Sequence, residues 1–248
     1  SDHDWLNQVD TQSNIYPKFL NNLGVDQFRH IHEIQLDFQH PVTIISGSNR
    51  SGKTSILSLI ACSHVDFKML NPSSGGFERV TWGKFITFTS HDTQNKDWSY
   101  SIEYREGTQI TVKNGKRKAS SKKWSGLGKK ETQIKNRRVV YIDTDRIAPA
   151  RSYSKSLYWK THNSVPQRSL PAVTTYLSYI LEEQYSSTHT LGVHQNKASY
   201  QFNGSYTSYN CASGEDVLTN ILQQIFDAPK NALILIDEIE LGLHPNKF

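Results

Sequence analysis

The chain has 248 residues, a formal net charge of +5 and only two cysteines. This length suffices for a large domain with its own core, and two cysteines are too few for the disulfide framework of a small secreted scaffold. We therefore expect a cytoplasmic protein. The sequence also lacks the roughly eighteen consecutive apolar residues that a membrane-spanning helix needs, so no membrane partner is expected.

The first predicted elements are a strand and a helix joined by a glycine-rich turn. Residues 42–46 (VTIIS) form an apolar run typical of a buried strand, and residues 53–64 carry an apolar stripe typical of a helix. The turn between them, GSNRSGKT at residues 47–54, fits the pattern G-x-x-x-x-G-K-[ST] without exception.

This turn predicts a loop that binds the phosphates of ATP. Its glycines allow backbone N–H groups to point at the β-phosphate, and the following helix adds its positive N-terminal end. Lys53 is expected to reach the β- and γ-phosphates, and Thr54 to donate its hydroxyl oxygen to Mg²⁺. The alternative is a chance glycine-rich turn, which the flanking strand and helix disfavour. The predicted ATP contacts are Gly47, Ser48, Asn49, Arg50, Ser51, Gly52, Lys53, Thr54 and Ser55.

The middle of the chain predicts an antiparallel β lobe on an α/β core. Residues 98–105 alternate with a period of two, a turn follows at residues 106–107, and residues 109–113 lead to Asn114-Gly115, a hairpin signal. Residues 139–143 form another predicted strand, and residues 191–209 suggest two more.

A basic segment lies within this region. Eleven of the 28 basic residues, but only one of the 23 acidic residues, fall between Lys113 and Arg138. Residues 119–135 are rich in Ser, Lys and Gly, which predicts a mobile loop. Clustered lysines suit a nucleic-acid backbone as partner, but a solvated, flexible loop is the slightly favoured interpretation. Trp124 is the one aromatic residue available there for stacking on bases.

The last predicted elements are two helices, at residues 171–184 and 214–226, and a strand at residues 232–236. The strand ends in Asp237 and Glu238, the Walker B form. Asp237 is expected to hold Mg²⁺, and Glu238 to orient and deprotonate the attacking water, so Glu238 and Lys53 are the predicted catalytic residues. A solvated acidic turn is the alternative.

A third motif, Ser213-Gly214-Glu215, precedes the second of these helices. Ser213 is predicted as the helix N-cap, with Asp216 three residues on in a capping-box position. A serine hydroxyl, a glycine amide and a free helix N-terminus also make a second anion site, suited to a γ-phosphate from another subunit.

The order of these three motifs resembles the ABC-type ATPases. The tail ELGLHP at residues 240–245 resembles their soluble branch: RecF-like, SMC-like and OLD-type ATPases and the ATPase subunits of bacterial anti-phage systems such as Septu and retron-associated systems. Residues 141–149 (YIDTDRIAP) are also similar to a Septu-like segment, although Ala148 stands where glycine is usual.

The resemblance implies two ATPs held in a head-to-tail homodimer. Ser213, Gly214 and Glu215 of one subunit would close on the ATP bound to Lys53 of the other. Residues 27–30 (QFRH) resemble the family's Asn-Phe-(Arg/Lys) element, which implies that Arg29 lies near the nucleotide; a plain surface arginine is the equal alternative. Gln94 is a candidate for the glutamine that family members usually place after the strand following the first helix. The family's switch histidine is expected either to follow Phe248 or to be lacking.

We therefore expect an α/β P-loop NTPase with an ABC-like core sheet, an inserted antiparallel lobe and basic loop at about residues 80–140, and an incomplete C-terminal part. Residues 1–18 are the predicted N-terminal extension and 19–248 the ATPase domain. The expected function is ATP hydrolysis that switches a DNA-directed or anti-phage defence assembly. The alternative is an ATP-binding scaffold with little turnover that restrains a nuclease or toxin partner.

Overall fold

In the computed structural model, the described residues are 16–70, 77–86, 96–144, 147, 150, 154, 156, 159, 168–193 and 196–239. The chain divides into two compact units. Unit 1 takes the described residues of Ser1–Phe67, Val80–Val139 and Lys230–Leu233, and unit 2 takes those of Lys68–Arg79, Val140–Pro229 and Ile234–Phe248.

The helices and strands are, in chain order, β1 Lys18–Phe28, β2 Ile31–Asp37, α1 Lys53–Cys62, β3 His64–Leu70, β4 Phe77–Arg79, α2 Trp82–Phe85, β5 Trp98–Glu106, β6 Gln109–Arg117, β7 Trp124–Gly126, β8 Ile134–Asp143, α3 Pro171–Leu181, β9 Ser187–Val193, β10 Asn196–Phe202, α4 Ser213–Phe226 and β11 Leu233–Asp237. The strands form three sheets, in the orders β2-β1-β5-β6-β7, β10-β9 and β11-β8-β3-β4. The fold is therefore mixed α/β, as predicted. Among the described helices, none is long and apolar enough to cross a membrane.

The five-stranded sheet of unit 1 is antiparallel between its sequential neighbours, which confirms an antiparallel β region. Its central strand β5 buries every second side chain, as the period-two pattern predicts; these residues are Trp98, Tyr100, Ile102 and Tyr104. The sheet also includes β1 and β2. The antiparallel region therefore begins at Lys18, whereas the sequence placed its start at about residue 80.

The predicted hairpin at Asn114-Gly115 is wrong, because both residues lie inside β6. The turn predicted at residues 106–107 is confirmed, because Glu106 and Gln109 are paired across β5 and β6. Gly115 faces Tyr100, and a Cβ at this position would lie 2.3 Å from the Tyr100 ring. Glycine is therefore needed here for space in the sheet and not for a turn.

The prediction of a mobile loop at residues 119–135 is also wrong. The segment contains β7 and buries Leu127, and the Trp124 ring stacks on that of Trp82 with centroids 4.3 Å apart. Gln133 Nε2 donates to the Cys62 carbonyl at 2.8 Å, so the segment is fixed at both ends to the core of unit 1. The sequence pattern missed this because its few apolar residues are isolated among lysines.

The strand predicted at residues 42–46 is a third error. No strand forms there, and the side chains of Val42 and Ile44 are 68% and 88% exposed. A strand needs a hydrogen-bonded neighbour, and no described strand pairs with these residues. Apolar composition therefore identified a segment with strand propensity but not its partner.

Unit 2 contains both predicted C-terminal helices. The first is Pro171–Leu181, with the proline in its first turn as predicted, and it ends three residues early because Glu182 takes a left-handed conformation with φ 54°. The second is Ser213–Phe226. The two pack through a buried cluster that consists of Leu170, Val173, Leu177, Leu181, Tyr185, Leu218 and Leu222. The two strands expected within residues 191–209 are Ser187–Val193 and Asn196–Phe202, which pair antiparallel and lie several residues earlier in the chain than predicted.

Candidate nucleotide-binding site

The phosphate loop caps a helix, as its motif predicts. Gly52 is the N-cap residue of α1 and has φ 101°, a conformation that glycine adopts at little cost. A Cβ at Gly52 would also lie 2.8 Å from Ile31, so the loop packs closely on the β1–β2 turn. A turn bond from Ser51 N to Ser48 O, 3.1 Å long, closes the loop.

Lys53 lies across this loop. Its Nζ donates to the Gly47 carbonyl at 2.8 Å and to the Ser48 carbonyl at 3.3 Å. The first turn of α1 contains no acidic residue, so the positive end of the helix is not neutralised locally. An ammonium group, a turn of backbone amides and an uncompensated helix N-terminus form a donor set that fits a triphosphate.

The neighbouring residues Thr54 and Ser55 differ in exposure. Thr54 is exposed, as a metal ligand at the loop must be, whereas Ser55 is buried. Arg29 Nη1 lies 3.4 Å from Ser55 Oγ. The structure therefore brings Arg29 to the first turn of the phosphate-loop helix, and its location near the nucleotide stays a prediction. Asn49, Arg50 and Ser51 are exposed in the loop.

The Walker B acids lie at the end of β11, as predicted, in unit 2. Asp237 is buried, and its Oδ2 accepts a hydrogen bond of 2.8 Å from the Tyr141 hydroxyl. Glu238 follows the strand with φ 55° and is half-buried, and its carbonyl accepts a 2.8 Å bond from Thr144 Oγ1. The two carboxylates therefore have different surroundings, the first inside and the second at the surface.

Tyr141 and Thr144 were not predicted as site residues. Both lie at the end of β8, beside β11 in the four-stranded sheet. The predicted strand at residues 139–143 could have indicated them, because side chains at the end of a strand next to the Walker B strand lie close to its acids.

The signature segment differs in detail from its prediction. The N-cap is Ala212, not Ser213, and Ser213 is the first residue of α4. The reciprocal bond comes from Glu215, whose Oε1 accepts the Ala212 N–H at 3.2 Å, and not from Asp216. Ser213 is exposed and Gly214 is half-buried at this helix end. Because Ala212 has no polar side chain, only the Glu215 half of a capping box is present.

Residues of the phosphate loop and Arg29 lie in unit 1, and Ser213, Gly214, Glu215, Asp237 and Glu238 lie in unit 2. That they share one Mg-ATP stays a prediction. Gln94 and the tail at residues 240–245 lie outside the described residues, as do Asp145, Arg146, Ala148 and Pro149 of the YIDTDRIAP segment. Within the described part of the chain, no group of three or more His, Cys, Asp or Glu residues forms a separate metal site.

The mixed α/β fold and the phosphate-loop motif define the class of P-loop NTPases. The family model described as the AAA domain matches residues 22–155, more than half of the chain. The chain belongs to this AAA domain family.

Two curated relatives are similar to part of the chain. The DNA replication and repair protein RecF of Clostridium acetobutylicum is 32% identical over 88 residues, and that of Oenococcus oeni is 27% identical over 92 residues. Each match covers 35% of this chain and 23% of the relative, so the chain matches about a quarter of the length of these proteins. A solved structure of the recombination mediator protein RecF with ATP is also similar. The alignment covers 94% of this chain and 88% of the RecF chain, with a TM-score of 0.42 and 12% sequence identity.

Proposed function

We propose that the chain is the nucleotide-binding core of a DNA-associated ATPase switch. In this proposal ATP binds at the phosphate loop, two copies associate head to tail, and hydrolysis separates them. The observation that carries the proposal is the geometry of residues 47–54, with Gly52 capping α1 at φ 101° and Lys53 placed over the loop carbonyls. The relatedness to proteins named for DNA replication and repair supports DNA as the context.

The residues have distinct proposed roles. Lys53 exchanges its loop carbonyls for the β- and γ-phosphates, and Thr54 and Asp237 hold Mg²⁺, which supplies charge neutralisation between those phosphates. Glu238 orients and deprotonates the attacking water, because it is the more accessible of the two neighbouring acids. Arg29 supports the phosphate-loop helix through Ser55.

In the dimer, the start of α4 in one subunit closes on the γ-phosphate held by the other, through Ser213 and Gly214. The exposure of Ser213 supports this assignment. An anti-phage defence assembly that contains a nuclease or toxin subunit is the proposed setting, by the resemblance of residues 141–149 and 240–245 to such ATPases.

The proposal is tested in the full-length protein by Glu238→Gln. We expect turnover of Mg-ATP to fall by about a hundredfold or more, the range seen when a general base is removed, while ATP binding persists and the dimer accumulates in mass measurements. Glu182→Gln is the matched control, since Glu182 is an exposed acid in the same unit.

Lys53→Ala separates binding from chemistry, because it should abolish ATP binding itself. Unchanged turnover in Glu238→Gln would remove Glu238 from its role. Tight ATP binding with negligible turnover in the unsubstituted protein would instead support the scaffold alternative.

A further inference from the structure

The backbone carbonyls at the end of β11 converge on one side chain that follows the neighbouring strand β8. The Thr144 hydroxyl donates to the Glu238 carbonyl at 2.8 Å and lies 3.4 Å from the Asp237 carbonyl. A hydroxyl group has one proton, so the shorter contact is the main hydrogen bond. All three residues belong to unit 2, and Thr144 is buried. Thr144 is therefore a buried donor that contacts the backbone of both Walker B acids.

This convergence depends on the backbone conformation of Glu238. Along an extended strand, successive carbonyls point to opposite edges, so one hydroxyl could not contact the carbonyls of two neighbouring residues. Glu238 instead has φ 55°, in the left-handed region. In helical backbone of either hand, successive carbonyls point in nearly the same direction, which is the origin of the helix dipole. The hydrogen bond from Thr144 is therefore made to the left-handed conformation and would be lost if Glu238 continued the strand.

The left-handed conformation is costly for a glutamate. Its Cβ crowds the neighbouring carbonyl oxygen, whereas glycine at the same position would be unstrained. Strained backbone of this kind persists only where surrounding contacts hold it, and it is concentrated at functional sites. The conformation also changes where the carboxylate points, because an extended Glu238 would place its side chain on the opposite face of the sheet from that of Asp237. A contact that holds this backbone therefore also sets the position of the Glu238 carboxylate.

Thr144 is itself fixed by contacts away from the Walker B strand. It directly follows β8, and its own carbonyl accepts the Ile147 N–H at 3.1 Å. Further along this segment, the Ala150 N–H donates to Asp216 Oδ2 at 2.6 Å in the first turn of α4. The β-branched side chain of Thr144 is also restricted in χ1, so its hydroxyl has few alternative positions. Thr144 thus offers a donor whose place is set by β8 and by the segment that follows it.

We propose that Thr144 is a positioning residue for ATP hydrolysis, whose hydroxyl holds Glu238 in the left-handed conformation that points the carboxylate at the attacking water. The inference rests on the proposed function, in which Glu238 activates this water. In this role Thr144 touches none of the reacting atoms and acts only through the backbone of Glu238. The step that Thr144 affects is therefore bond cleavage and not ATP binding. A hydroxyl that merely satisfied a buried carbonyl would affect stability alone.

The test uses the full-length protein with Thr144→Val, Thr144→Ser, Glu238→Gln and the double variant Thr144→Val/Glu238→Gln. Valine has the shape of threonine but replaces the hydroxyl with a methyl group, whereas serine retains the hydroxyl. Thr175→Val is the matched control, because the Thr175 hydroxyl also donates to a carbonyl in unit 2, that of Pro171 at 3.1 Å on α3. The single-turnover rate of ATP cleavage, the ATP affinity, the ATP-dependent dimer mass and a thermal melt are measured for each form.

A second variant guards against misfolding. Carbon atoms contact carbonyl oxygens at about 3.3–3.6 Å, so the methyl group of Thr144→Val cannot keep the 2.8 Å approach of the hydroxyl. Thr144→Ala removes the hydroxyl and leaves this space empty, and it takes the place of Thr144→Val if the thermal melt shows that valine is not tolerated.

We expect Thr144→Val to lower the cleavage rate by about ten- to a hundredfold with ATP affinity nearly unchanged, because a misplaced catalytic group slows chemistry without weakening binding. The ATP-bound dimer should accumulate, as in Glu238→Gln. Thr144→Ser should retain most of the rate, and Thr175→Val all of it. In the Glu238→Gln background, Thr144→Val should have almost no further effect, because both changes act through the same carboxylate.

Three results would overturn the inference: a Thr144→Val rate equal to that of Thr175→Val, an equal loss in Thr144→Ser, or an undiminished further loss when Thr144→Val is added to Glu238→Gln. The last result would show that Thr144 acts independently of Glu238. Full turnover in Glu238→Gln would overturn the role of Glu238 in the proposed function and the inference with it, so the two failures are distinguishable.

Discussion

Asp237 and Glu238 are adjacent carboxylates whose different surroundings suit different tasks. Asp237 is buried, and the hydrogen bond from the Tyr141 hydroxyl fixes the position of its carboxylate. Glu238 is half-buried and lies just past the strand in a left-handed conformation that directs it away from the regular path of β11. These different surroundings are the physical reason for proposing that Asp237 holds the metal and that Glu238 orients the water.

The protonation state of His64 is set by its burial. Its Nδ1 donates to the Ile60 carbonyl at 2.7 Å, and its Nε2 accepts from the Tyr104 hydroxyl at 2.7 Å, an arrangement that requires the neutral ring. Burial lowers its pKa from 6.5 to about 3. Between these values the unfolded chain takes up a proton that the folded chain does not, so stability is full above pH 6.5 and declines as the pH falls.

We predict that this histidine makes the free energy of unfolding fall by about 2 kcal/mol between pH 7 and pH 5. His64→Gln should be less stable at pH 7, because its two hydrogen bonds are lost, but its stability should change much less with pH. Urea unfolding followed by tryptophan fluorescence measures this, since Trp82, Trp98 and Trp124 all lie in unit 1 with His64. His32→Gln, at an exposed histidine, should retain the original slope. Equal slopes for His64→Gln and the unsubstituted chain would contradict the prediction.

At the scale of elements, the sequence predicted what local periodicity determines. The apolar stripes of α1, α3 and α4 and the alternation in β5 are repeated within a single element, so they identified these elements to within a few residues. Residues 42–46 and Asn114-Gly115 were mispredicted because their conformation depends on a distant neighbour: a pairing strand in the first case and the ring of Tyr100 in the second. The hydrogen bonds from the hydroxyls of Tyr185 and Tyr206 to Glu215 were missed for the same reason, since no spacing rule connects these three residues.

The second case gives a test at this scale. We predict that Gly115→Ala destabilises unit 1 by about 1–3 kcal/mol, the usual cost of overpacking, because the added methyl group would meet the Tyr100 ring. Gly83→Ala is the control: a Cβ there meets nothing within 4 Å, and alanine favours the helix, so stability should be unchanged or rise by less than about 1 kcal/mol. Urea unfolding measures both. Equal stabilities for the two variants would contradict the prediction, because they would mean that the Tyr100 ring gives way to the methyl group at no cost.

At the scale of the whole molecule, the charge distribution separates the basic segment from the rest of the chain. With eleven of the 28 basic residues and one acid between Lys113 and Arg138, the remainder is net acidic. Part of this segment is ordered in the structure, because β7 pairs with β6 and Trp124 stacks on Trp82. Because the Trp124 ring already contacts Trp82, Trp98 and Arg117, a DNA partner would be contacted through the phosphate backbone by lysines and not by stacking on Trp124.

Lys122 and Lys123 are suited to testing a contact between the basic segment and the phosphate backbone of DNA, since both are exposed in the turn before β7. If the segment contacts duplex DNA, Lys122→Glu/Lys123→Glu in the full-length protein should lower affinity by about tenfold at moderate salt and reduce the slope of log K against log salt by about 2, because roughly 0.9 counterions are released per phosphate contact. Fluorescence anisotropy with a labelled duplex, measured over a salt series, gives both quantities, and ATP binding should not change. Lys68→Glu/Lys230→Glu alters the net charge equally but outside the segment, so it separates a local contact from a global field. An equal loss in both double variants would assign DNA affinity to overall charge, and no loss in either would leave the lysines as a solvated surface.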